Sequence, residues 1–94
     1  MPHFKVAHIR EQGQDMIIVP LDSAFGRKIT SEQQSVRTEL QARSRAAGLA
    51  GTVVPVWDDG FGRMGFFAPI GWRAFFESIN LHWVFANVNR EIYW

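Results

Sequence analysis

Hydrophobic and polar residues at the amino terminus alternate with the period of two that a strand requires. Phe4, Val6 and His8 fall on one face, and Lys5, Ala7 and Ile9 on the other. Met16-Ile17-Ile18-Val19 is apolar without a break and mostly β-branched, as expected of a strand covered on both faces. Between them Glu11-Gln12-Gly13-Gln14-Asp15 is polar and holds a glycine, so residues 4–10 and 15–21 are read as a hairpin. Pro20 has no N–H to give a ladder and marks the strand's end.

Asp22 to Ile29 reads as a loop, after which the period changes to that of a helix. Val36, Leu40 and Ala47 form a narrow apolar stripe at four- and seven-residue spacing. Thr30 or Ser31 is the expected cap, with Glu32 in the first turn and Gln33 or Gln34 closing a capping box. Arg43 and Arg45 complement the carboxyl end of the helix dipole, and Gly48-Leu49 matches a glycine stop with its hydrophobic contact.

The second half repeats the outline of a hairpin feeding a helix. Thr52 to Trp57 is a strand, with Pro55 favouring an edge position or a bulge. Asp58-Asp59-Gly60-Phe61-Gly62 is turn chemistry, and Met64 to Ala68 is the returning strand, ended by Pro69 and Gly71. Trp72, Phe75, Phe76 and Ile79 recur at helical steps. A last helix is expected from Asn80, with Leu81, Val84, Val88 and Ile92 as its inward stripe. Asn87 and Asn89 are poor helix-interior residues, which implies a bend or amides engaged elsewhere. The order ββαββαα predicts one α+β domain over residues 1–94: a two-layer sandwich, its antiparallel sheet built from two hairpins with helices on one face.

A chain of 94 residues that is 47% hydrophobic and 20% charged is not a disordered tail. At this mass roughly 65% of the unfolded surface can be buried, enough for a real but shallow core. Ten Lys and Arg against nine Asp and Glu leave a charge of +1, too little to indicate a polyanion partner. Without cysteine there is no disulfide framework, thiolate metal site or cysteine nucleophile. The amino terminus lacks a signal-peptide pattern and no apolar run approaches a membrane span, so a soluble cytoplasmic protein is expected.

Composition changes the picture most through its rings. Eleven of the thirteen aromatic residues lie between Trp57 and Trp94, and a thin fold has one interface in which to hide them. Trp57 sits at a strand end and Phe61 in a turn. Trp83 and Phe85 fall off the helical stripe, and Trp94 ends the chain. Rings left outside a core mark interfaces, because each removes a large area from water at low entropic cost. These five residues are the expected anchors of a protein–protein interface, either with a second copy in a homodimer or with another protein.

The alternative expectation is nucleic-acid or anion binding. Arg27 and Lys28 precede the first helix, Arg37 and Arg45 nearly align along it, and Arg63 lies in the second hairpin, where Trp57 and Phe61 could supply stacking. No Walker or GxGxxG pattern accompanies them. His3, His8 and His82 lack metal-ligand spacing, and Asp58-Asp59-Gly60 lacks the alternating ligands of a calcium loop. No GxSxG elbow presents Ser23. No catalytic residue, metal or cofactor is assigned, and the chain is expected not to be an enzyme.

Overall fold

The structure is a computed structural model describing residues 3–93. Five strands, β1 (His3–Glu11), β2 (Gln14–Pro20), β3 (Thr52–Asp58), β4 (Met64–Phe66) and β5 (Arg90–Tyr93), form one sheet in the order β4-β3-β2-β1-β5. Helix α1 (Thr30–Ala46) joins β2 to β3, and α2 (Arg73–Ser78) and α3 (Leu81–Ala86) join β4 to β5. The α+β class and the ββαββαα order are present, extended by the fifth strand.

The sheet is antiparallel except between β2 and β3, which run parallel with Met16 beside Thr52 and Ile18 beside Val54. The 17-residue α1 causes this. At 1.5 Å per residue it is about 25 Å long, close to the length of seven-residue β2, so it returns the chain to the level where β2 began.

Helices cover both faces of the sheet instead of one. Ile17, Val19 and Val53 pack with Val6, Ile92 and Leu40 of α1. Their alternating neighbours Met16, Ile18, Val54 and Val56 pack with Phe76 of α2 and Val84 of α3. The unbroken apolar run of β2 is therefore needed: successive residues serve opposite cores. Each fully buried side chain of this size contributes about 1.5–3 kcal/mol.

Three local readings are corrected. Ile29 occupies the cap position of α1 with no side-chain hydrogen bond, so neither Thr30 nor Ser31 caps it. The end of α1 is as expected: the N–H of Leu49 donates to the Ser44 carbonyl and that of Gly48 to Arg45, with Gly48 at φ +83°. The last helix stops at Ala86, and Ile92 is buried in β5 instead. Pro55 lies in an interior strand, with β4 on one side and β2 on the other. Its carbonyl accepts from the Phe67 N–H, so its missing donor faces the point where β4 has just ended.

Candidate interaction surface

Side-chain amides close the sheet where its edge strands stop. Beyond β5, the Asn89 carboxamide takes the His8 N–H at 2.9 Å and donates to the His8 carbonyl at 2.9 Å. That is the two-bond exchange a residue of a neighbouring strand would make. Beyond β4, Gln41 of α1 donates to the Gly51 carbonyl and accepts from the Val53 N–H, both at 2.9 Å. His8 is a structural histidine, its Nε2 lying 2.9 Å from the Ala50 carbonyl oxygen.

At the β4 edge the indole of Trp57 lies between two glycines. A methyl group added at Gly26 or at Gly65 would overlap the ring, so both positions have to lack a side chain. Phe25 meets the indole edge-on, with centroids 5.0 Å apart. Gly65 is the direct cross-strand partner of Trp57, so the half-buried ring reaches over β4 toward the sheet's edge. A hollow of about 430 Å³ opens there, bounded by Gln33, Trp57, Phe67, Ile70 and Arg73. The Arg37 guanidinium lies 4.8 Å from the centre of the Phe67 ring, a cation–π contact worth about 0.5–2 kcal/mol.

The β3–β4 turn holds Phe61 out at 89% exposure. Asp59 Oδ1 accepts from the N–H groups of Phe61 and Arg63, and Asp58 Oδ1 accepts from Gly60. The aspartates organise the backbone of the turn that carries the ring at its tip. At the other end of β4, Ile70 is 94% exposed. Its exposure is legible in hindsight, because Pro69 and Gly71 on either side break both strand and helix.

The five expected anchors divide. Trp57 is half-buried, and Phe61 stands fully out. Trp83 packs half-buried on Phe75 at 5.8 Å and belongs partly to the core, whereas Phe85 on the same helix is 59% exposed. Trp94 lies outside the described residues. Ile70, Ile29 and Tyr93, none of them among the five anchors, are all more exposed than Phe85. The core is larger than one interface, because a second sheet face packs Phe66, Trp72, Phe75 and Phe76.

The five basic residues are not brought together. Arg37 and Arg45 share a shallow hollow on α1. Lys28 lies 3.9 Å from Glu32, and Arg27 is exposed beside it in the 3-10 turn Ser23–Arg27. Arg63 borders a different hollow, with Asn80 and His82. Among the described residues no group of three His, Asp or Glu is placed to hold a metal ion. No described helix is long and apolar enough to cross a membrane.

Comparison with protein-family models, curated proteins and solved structures finds no match to this chain.

Proposed function

We propose that this chain is a non-catalytic cytoplasmic binding domain that works through a protein–protein interface, with a second copy of itself as the first partner. The observation that carries this reading is the exposure of Phe61 and Ile70 in a fold that already uses both sheet faces as core. Two nearly bare apolar side chains flank an edge strand, one of them on a turn pre-organised by its own aspartates. Binding there costs little ordering entropy. Phe85 and Tyr93 add exposed rings elsewhere. Light scattering on the eluting protein tests the reading: a mass twice that of the 10.8 kDa chain supports self-association. A monomer up to roughly 1 mM rejects it.

Nucleic-acid binding is the second reading, supported by the half-exposed Trp57 near the Arg37–Phe67 pair. It requires affinity for a single-stranded oligonucleotide that falls steeply with salt. The near-neutral charge and the dispersed cations favour the first reading.

A further inference from the structure

We propose that two copies of this chain join by antiparallel pairing of their β4 strands about a two-fold axis at Gly65, giving one continuous ten-stranded sheet. The proposal deepens the self-association reading and rests on it.

The sheet's edges point to β4. Phe67 donates to the Pro55 carbonyl, and the Arg63 carbonyl accepts from Asp59, so the odd-numbered residues of this segment face β3. By the pleat, Met64 and Phe66 turn their N–H and C=O groups outward, where the described residues place no further strand. Elsewhere the edge is defended. Asn89 and Gln41 occupy the stretches that the edge strands leave uncovered. Arg10 stands on the free end of β1, and Arg90 and Glu91 stand on β5. Charge on an edge is how a sheet avoids unwanted pairing. From Met64 to Trp72 the chain carries no charged residue, Arg63 and Arg73 standing just outside that stretch, so among the described strands β4 is the least defended edge.

Self-complementarity identifies the occupant as a second copy. A two-fold interface must place each feature opposite a matching one. With Gly65 opposite Gly65 of the other copy, Met64 and Phe66 form reciprocal hydrogen-bonded pairs. The same antiparallel arrangement sets the β3–β4 turn of one copy, with Phe61 at its tip, beside the far end of the partner's β4, where Ile70 lies. The two most exposed large apolar side chains, Phe61 at 89% and Ile70 at 94%, are thereby covered by each other. At the axis the missing Cβ of Gly65 lets the backbones approach, and the Trp57 indole of each copy arrives beside the other. β4 is only three residues long, so the interface is a small one and the test has to reach high protein concentration.

The test is sedimentation of four proteins from roughly 1 µM to roughly 1 mM: wild type, Phe61→Glu, Ile70→Lys, and the double variant. Both side chains are exposed, and circular dichroism confirms that each variant is folded. The wild type is expected to dimerise. Each single variant should weaken association at least tenfold, and the double variant should recover it as the introduced carboxylate of one copy meets the introduced ammonium of the other. Amide exchange at Met64 and Phe66 should slow as concentration rises. A wild-type dimer unaffected by either single variant overturns β4 pairing and leaves self-association standing. A double variant weaker than both singles does the same. A wild type monomeric throughout overturns both.

Discussion

Gly65 shows how much one absent side chain positions here. Its cross-strand partner is Trp57, and the space a Cβ would fill is taken by the indole. Gly65→Ala therefore forces either the ring off its site or the strands apart, an overpacking cost of about 1–3 kcal/mol. Urea unfolding should give a lower midpoint with an unchanged slope, and indole emission should shift to the red as the ring moves into water. Gly62, three positions earlier, has nothing within 4 Å of its Cβ position. Its alanine variant is strained only by its φ of +79° and should leave the emission alone. An unshifted emission in Gly65→Ala removes the claim that this glycine seats Trp57.

At the scale of elements, legibility followed the distance over which the deciding contact acts. Gly48 and Leu49 end α1 through bonds within five residues, and the sequence pattern was sufficient. The cap of α1 failed because no acceptor is in place at Ile29, and the rest of the α1 sequence forms the helix without one. The longest error ran from Asn87 to Tyr93. Val84, Val88 and Ile92 keep a helical spacing, yet a helix there would leave the outer edge of β1 bare. Pairing Phe4 with Ile92 and Lys5 with Glu91 uses that edge. The two asparagines were the local warning: Asn87 returns its amide to the Trp83 carbonyl at the helix end, and Asn89 leads into the new strand. Asn89→Ala loses two hydrogen bonds to His8, worth about 1–3 kcal/mol together. Amide exchange at His8 should accelerate far more than at Ile18, whose strand β2 is paired on both sides. Equal acceleration at both sites would mean that the asparagine supports the whole fold and not the edge.

For the whole molecule, the sheet is shared between two cores that touch different sides of the same strands. Two hairpins of alternating polarity suggested one covered face. The second core was hidden because α2 and α3 are only six residues each, and their apolar content reads as excess aromatics. Those rings are the far wall of the second core, which is why fewer of them remain as anchors than a count suggests. Stability and surface are linked by this arrangement: with Phe76 buried and Phe66 and Phe75 packed against it, the most exposed large apolar side chains left are Phe61 and Ile70, at the two ends of β4. The two cores should act as independent packing sites within one cooperative unit. Val19 faces α1 and Val84 of α3 faces the other side, so no side-chain contact is shared. Val19→Ala and Val84→Ala should each cost about 1–3 kcal/mol, and the double variant should equal their sum within about 0.5 kcal/mol. A domain of this length holds roughly 5–14 kcal/mol in total, so a combined loss of about 2–6 kcal/mol takes a large fraction of it and gives a large drop in the urea midpoint. Because β2 contributes alternate residues to both cores, neither can melt while the other holds, and all three variants should unfold in one step. Two separated transitions, or a coupling above about 1 kcal/mol, would mean that the faces are not joined through a common rigid sheet.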